Sequence, residues 1–304
     1  MVQKIQSSLE KHTIADAVLR GLGQIMLQEN RWTGLLFLIG LFINHWTFGL
    51  AALLACLSGT LIARLLKLDY SNIQAGLYGF SASLVGIALV FLFEANIFIW
   101  ILIVLGAAAA TLIQAFFISK KIPVYTFPFI IITWIWVFMV QHFNLAGTAL
   151  PMASTIDFGA YDYLFTGTNG FGQVMFQEFV FSGILFFIGV LINDHIAALY
   201  ALVASIIGAY IARYFGVPME DIHAGLFGFN ALLSAIVFSG IKKNDAVWVG
   251  LSVLITSFIH VICIKISAFE AVGGVFTFPF VLGVWFTIII QKLTAFVQNR
   301  NRRK

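Results

Sequence analysis

Gly21-Leu22-Gly23-Gln24-Ile25-Met26-Leu27-Gln28-Glu29 returns 149 residues later as Gly170-Phe171-Gly172-Gln173-Val174-Met175-Phe176-Gln177-Glu178. The same spacing links Ile43-Asn44 to Ile192-Asn193 and Ile62-Ala63-Arg64 to Ile211-Ala212-Arg213. It also links Ala75-Gly76-Leu77-Tyr78-Gly79-Phe80 to Ala224-Gly225-Leu226-Phe227-Gly228-Phe229. About 30 of the 67 positions from Gly21 to Ile87 are identical without a gap. Shared apolarity alone does not put Gln, Glu, Asn, Arg and Gly in register. Further on the spacing becomes 151: Thr126-Phe127-Pro128-Phe129 returns as Thr277-Phe278-Pro279-Phe280, and Trp134 as Trp285. The chain carries an internal duplication.

Composition says which solvent the duplicated unit meets. Of the 304 residues, 61 % are apolar and only 10 % charged, and the mean hydropathy is +0.99. A soluble domain carries roughly 25 % charged residues. Lipid must therefore cover much of this surface. Residues 1–20 are polar and of mixed charge and hold no apolar core of a signal peptide. Cys56 and Cys263 sit far apart in apolar segments without metal-ligand spacing, and read as small core residues. The net charge of +4 owes much to Arg300, Arg302, Arg303 and Lys304, a membrane-flanking cluster rather than a nucleic-acid footprint.

The pattern gives an all-α membrane protein of about ten transmembrane helices in two inverted five-helix repeats, with half-membrane helices, around a central pore. Spans are expected near 32–50, 51–66, 76–93, 97–118 and 124–142, and again near 180–194, 196–214, 225–240, 246–264 and 277–294. Segments 12–28 and 160–177 are too polar to span and read as half-membrane or surface helices. The first repeat covers 12–142 and the second 161–294. They are joined by an extracytoplasmic connection, 143–160, and flanked by cytoplasmic tails, 1–11 and 295–304. With the N-terminus inside, Lys67, Lys120, Lys121, Lys242, Lys243 and the basic tail fall on the cytoplasmic side. The connection carries Asp157 and Asp162 and no Lys or Arg, as the positive-inside rule asks. Arg213 and Lys265 fall outside. Five spans per half is an odd number, so the second half enters with opposite topology.

Polar groups kept in both copies inside apolar sequence point to a pathway or a hydrogen-bond network, because burying them in lipid is costly. Gln24 and Gln173 offer one acceptor and two donors each, either to a polar solute or to tie a re-entrant segment to its neighbour. Glu29 and Glu178 are candidates to pair with Arg64 and Arg213, or to lie at an interface. Each Thr-Phe-Pro-Phe opens a helix, where proline lacks no needed donor. Re-entrant leads would then bring Thr126 and Thr277 face to face. Phe80 and Leu84, like Phe229 and Leu233, lie four apart on one helical face, as flat pore walls or as plain core. The histidines do not recur: at the 149 spacing His45 meets Asp194, and His223 meets Gln74. The sequence carries no nucleotide-binding loop, metal spacing or assembled nucleophile, so it makes no case for an enzyme, a metal or a cofactor.

The duplicated Gly-x-Gly-Gln, Ala-Gly-Leu-x-Gly-Phe and Thr-Phe-Pro-Phe motifs together resemble the urea transporter family over roughly residues 12–294. The resemblance implies passive, channel-like flux of urea, in a homotrimer whose every subunit has its own pore along the repeat interface. It implies slot walls at Phe80 with Leu84 and Phe229 with Leu233, to which Leu27 and Phe176 add. Gln24 and Gln173 become polar residues at the outer and inner binding positions, and Thr126 and Thr277 the hydroxyls at the constriction. The family often has Asn-Pro and then Gly after the Gln segment. Here Asn30-Arg31-Trp32-Thr33-Gly34 and Phe179-Val180-Phe181-Ser182-Gly183 stand without the proline. The implied setting is a cell membrane, an inner membrane if the source is Gram-negative, with no nucleic-acid partner.

Two rival readings are an ammonia-type channel, which asks for paired intramembrane histidines, and an ion-coupled transporter of another small polar solute. The second asks for buried acids, for which Glu29 and Glu178 are the repeated candidates.

Overall fold

A computed structural model describes residues 13–150 and 163–301, and among them the fold is helical throughout. The first half runs α1 (Ile14–Gln24), α2 (Arg31–Asn44), α3 (Trp46–Leu65), α4 (Tyr70–Gln74), α5 (Phe80–Leu92), α6 (Ile97–Ser119) and α7 (Phe127–His142). The second runs α8 (Thr166–Gln173), α9 (Val180–Asn193), α10 (His195–Tyr214), α11 (Met219–His223), α12 (Phe229–Phe238), α13 (Lys243–Cys263) and α14 (Phe278–Asn301). A short 3-10 helix, Ser267–Val272, precedes α14. The bounds of α2, α3 and α4 recur in α9, α10 and α11 at a spacing of 149 residues. Helix order thus repeats as the sequence does. Residues 1–11, most of the 143–160 connection with Asp157, the neighbouring Asp162, and Arg302, Arg303 and Lys304 lie outside the described residues.

Caps set the boundaries. The Asn30 side chain accepts from Trp32 N and Thr33 N and starts α2. The expected border between the first two spans, near residue 50, sits instead at His45, whose Nδ1 accepts from Thr47 N at 3.4 Å. Its repeat partner Asp194 caps α10 through Ile196 N and Ala197 N. The expected span 76–93 starts four residues late. Gly76 takes φ +79° and closes α4: Gly76 N donates to Ile73 O, and Leu77 N to Asn72 O. This is the paired bonding by which a left-handed glycine ends a helix. At the other end α14 continues to Asn301, past the expected 294.

Among the described residues five helices, α3, α6, α10, α13 and α14, are long and apolar enough to cross a membrane. The apolar helices α2, α5, α7, α9 and α12 hold 10–17 residues each, less than the roughly 20 needed to span the hydrocarbon alone. Of the about ten expected spans, five correspond to helices of spanning length and five to shorter apolar helices. Large apolar side chains point outward on the long helices, for example Leu65, Ile97, Leu105, Leu199 and Tyr210, where lipid is the natural solvent.

The repeated motifs meet in space. In each half the Gly-x-Gly-Gln helix packs its backbone on the glycine turn. A Cβ on Gly76 would collide with Gly21 N, and one on Gly225 would lie 2.5 Å from Gly170 N. Across the halves the contacts are reciprocal. Asn193 Nδ2 donates to Gln28 Oε1 and Asn44 Nδ2 to Gln177 Oε1, both at 2.8 Å. Thr33 Oγ1 donates to Gly189 O and Ser182 Oγ to Gly40 O, both at 2.7 Å. Phe37 meets its own counterpart Phe186, ring centroids 5.2 Å apart. Residue i of one copy touching j of the other, and j touching i, is the contact pattern of a two-fold relation.

Candidate functional site

Among the cavities of the described residues, two lie one in each half and hold the repeated candidates. The smaller, about 230 Å³, is lined by Gln24, Leu27, Phe80, Gln114, Tyr125 and Thr126, with Phe280 reaching in from the other half. The larger, about 420 Å³, is lined by Gln173, Phe176, Phe229, His260, Phe276 and Thr277, with Phe91 from the first half and Asp221 and Glu270 also on its wall. Four repeat pairs expected at the site thus appear as one member per cavity: Gln24/Gln173, Leu27/Phe176, Phe80/Phe229 and Thr126/Thr277. The fifth does not. Leu84 and Leu233 are fully buried and line neither cavity.

Thr126 and Thr277 join the two halves. Their Oγ atoms are 2.7 Å apart, and both residues are buried. Thr126 stands at the N-cap of α7, and its hydroxyl makes no capping bond to that helix. Each turn leading into the pair is held by a tryptophan of the opposite half. Trp134 Nε1 donates to Gly274 O at 2.9 Å, and Trp285 Nε1 to Pro123 O at 2.8 Å. The same tryptophans face Phe278 and Phe127 at 5.3 and 5.4 Å.

The glutamines spend half of their amides on structure. Gln24 Nε2 donates to Ala75 O at 2.9 Å and Gln173 Nε2 to Ala224 O at 3.0 Å. These bonds hold α1 and α8 to the glycine turns. Both Oε1 atoms are left without a bond among the described residues, on side chains that line a cavity. One of the two repeated acids has a partner other than the arginine considered for it. Glu29 pairs with Arg20 at 3.0 Å and not with Arg64, because Arg20 is the cation that the α1 turn brings beside it. Arg64 Nε is buried without a partner among the described residues.

Backbone strain concentrates at the lining. Leu27, Tyr125, Phe176 and Phe276 hold φ of 60°, 50°, 59° and 47°. Such conformations cost about 1–3 kcal/mol each for non-glycine residues and persist where the surroundings impose them. They form two repeat pairs, Leu27/Phe176 and Tyr125/Phe276. Around the threonine pair the rings interlock: Phe129–Phe276 at 5.5 Å, Tyr125–Phe280 at 5.4 Å and Phe176–Phe276 at 5.9 Å.

Tyr125, Phe276, Gln114 and His260 escaped the sequence reading. The first two directly precede the matched threonines. The other two are structural counterparts at a spacing of 146, because α12 has 10 residues where α5 has 13. Thr111 beside Gly59 and Ser257 beside Gly208 confirm this local spacing. Among the described residues no three His, Cys, Asp or Glu side chains group as a metal site.

The profile of the urea transporter family matches residues 15–292 of this chain. The chain is similar to urea transporter 1 of Ovis aries, 30 % identical, and to urea transporter 1 of Rattus norvegicus, 28 % identical. Each match covers 74 % of this chain and 62 % of the relative, so the chain spans less than two thirds of those proteins' length.

Proposed function

This chain belongs to the urea transporter family, and from that premise we propose that it lets urea cross a lipid bilayer passively, through a narrow pore joining the two cavities at Thr126 and Thr277. The observation that carries the reading is the hydroxyl pair itself, buried between two cavities of opposite halves.

The chemistry suits the solute. Urea is planar, neutral and rich in N–H donors, and drying an amide group costs roughly 1–3 kcal/mol unless its hydrogen bonds are replaced. The Oε1 atoms of Gln24 and Gln173 accept such donors in the cavities, and the threonine oxygens accept them at the constriction. Phe80 and Leu27 on one side, and Phe229 and Phe176 on the other, supply flat apolar walls. Leu84 and Leu233 back those walls from the core. Both α7 and α14 begin at the hydroxyl pair, and a helix N-terminus carries a partial positive charge. That field disfavours cations where no water can follow them, and the apolar walls solvate anions poorly.

The reciprocal contacts between halves support reading 12–142 and 161–294 as inverted repeats about an axis in the membrane plane. Lysine placement supports cytoplasmic tails and an extracytoplasmic 143–160 connection. The same reading makes the protein a homotrimer of three independent pores in the cell membrane. Stopped-flow light scattering of proteoliposomes under a urea gradient tests the function. Faster urea entry than in protein-free liposomes is expected, and equal rates overturn the proposal.

A further inference from the structure

The two turns that carry Thr126 and Thr277 share the hydrogen bonds flanking each threonine, although Pro123 leads into the first and Gly273 and Gly274, at φ 88° and 117°, lead into the second. In both, the residue after the threonine donates to the carbonyl three positions back, Phe127 N to Val124 O and Phe278 N to Val275 O, at 3.1 Å. In both, the first helical bond returns to the threonine carbonyl, Ile130 N to Thr126 O and Val281 N to Thr277 O, at 3.2 Å. Each is grasped by the other half's tryptophan, and each left-handed aromatic packs on a phenylalanine of the opposite turn.

A second difference lies behind the turn. In the second half Asn230 Nδ2 donates to Phe276 O at 3.1 Å, while Phe280 N donates to Asn230 Oδ1 at 3.1 Å. One side chain thus bridges the two ends of the segment that presents Thr277. His260 Nδ1 lies 3.5 Å from the same Nδ2. The Phe276 carbonyl faces the nitrogen and the Phe280 N–H faces the oxygen, so the amide has one satisfying orientation. Asn230 is fully buried.

The first half has the same positions and none of these bonds. Ser81 stands where Asn230 does, and Gln114 where His260 does. Ser81 Oγ and Gln114 Oε1 are buried without a partner among the described residues. Phe129 N, the counterpart of Phe280 N, has no acceptor among them either. Serine is too short to bridge a turn that asparagine spans.

Resting on the pore reading above, we infer that Asn230 is the positioning residue that fixes Thr277 as the rigid half of the constriction, leaving Thr126 as the half that yields when a solute passes. Buried bridging bonds of this kind resist local opening, while a turn lacking them opens at lower cost. Discrimination by size then rests on the second half, and passage on the first.

Two measurements decide this. The first uses the unaltered protein in liposomes: amide hydrogen exchange at Phe280 should be slower than at Phe129, by about tenfold or more for one strong buried bond. Equal rates overturn the inference. The second is Asn230→Ser, which gives the second half the first half's residue. Its urea-to-methylurea permeability ratio should fall about fivefold or more, the scale of one lost buried hydrogen bond. A Tm drop with an unchanged ratio assigns Asn230 to packing alone and overturns the inference. If the variant does not fold, Ser81→Asn serves: bridging the first turn should slow exchange at Phe129 and raise the ratio, and no change in either overturns it. Failure of the pore reading is distinguishable, since unaltered protein would then pass no more urea than empty liposomes whatever the exchange rates show.

Discussion

The Oγ atoms of Thr126 and Thr277, 151 residues apart in sequence, share a hydrogen bond of 2.7 Å at the meeting point of two helix starts. In this bond one hydroxyl donates and the other accepts. On the proposed pathway a passing amide takes over that bond, so opening costs one hydrogen bond that the solute returns.

Removing one hydroxyl should therefore hurt passage more than folding. Thr126→Val or Thr277→Val keeps the shape and leaves one urea N–H dry. At about 1–3 kcal/mol for an unmet buried polar group, urea permeability should fall roughly 5- to 150-fold in either variant. Stopped-flow rates per unit of reconstituted protein check this. Permeability within twofold of the parent in both variants would take the hydroxyls out of the pathway.

The reciprocal asparagine–glutamine bonds make a prediction about both halves. Gln28 and Gln177 are both buried, and each uses its own Nε2 on a nearby carbonyl, Met26 O or Met175 O. Asn44→Ala and Asn193→Ala each strand one Oε1. Each should cost about 1–3 kcal/mol, with Asn193→Ala the larger by up to about 1 kcal/mol, because Asn193 Oδ1 also accepts from Asn30 Nδ2 while Asn44 Oδ1 has no partner among the described residues. Chemical unfolding in detergent reads both. A large loss in one and none in the other would contradict the two-fold relation between halves.

How much of this was legible beforehand depended on whether spacing held. Where the 149 and 151 spacings run unbroken, the sequence located Gln24, Gln173, Thr126 and Thr277, and the meeting of the two threonines followed from proline-started helices. Where α12 lost three residues relative to α5, the spacing slipped to 146, and Gln114 and His260 dropped out as unrelated residues. The His45 cap was readable from its alignment with Asp194, yet long apolarity across residues 32–50 masked it. Leu84 and Leu233 show the limit of face arguments. A four-residue step puts them below Phe80 and Phe229 on the helix, but only packing decides which member of a stripe meets a cavity. The ion pair of Glu29 depended on how the short polar turn folds, which no repeat could indicate.

Glycine positions separate close packing from mere permissiveness. A Cβ on Gly34 would run into the Leu19 carbonyl, and one on Gly183 into the Thr168 carbonyl. Both obstacles are backbone and cannot swing aside. Gly34→Ala and Gly183→Ala should abolish recovery of folded protein, or lower Tm by more than Asn44→Ala or Asn193→Ala does. Gly250, exposed on α13, has nothing within 4 Å of its Cβ direction. Gly250→Ala should raise stability by up to about 1 kcal/mol through helix propensity. Size-exclusion profiles and thermal unfolding distinguish the three.

Strain supplies the last test, because the repeat provides its own control. Lys67 closes α3 with φ 52°, and its counterpart after α10 is Gly216 with φ 85°. One copy has already relieved that strain with glycine, and the position lines neither of the two cavities that hold the glutamines. Leu27 and Phe176 keep φ near 60° with bulky side chains in both copies, and both line a cavity. If the left-handed turn at Lys67 is only a helix stop, Lys67→Gly should raise Tm by a few degrees and leave urea permeability unchanged. If the turn at Leu27 exists to aim a side chain at the solute, Leu27→Gly should gain little stability, since strain relief is offset by lost burial. It should, however, shift the urea-to-methylurea ratio. A ratio unchanged by Leu27→Gly, with a Tm gain like that of Lys67→Gly, would mean that both strained turns serve the backbone alone.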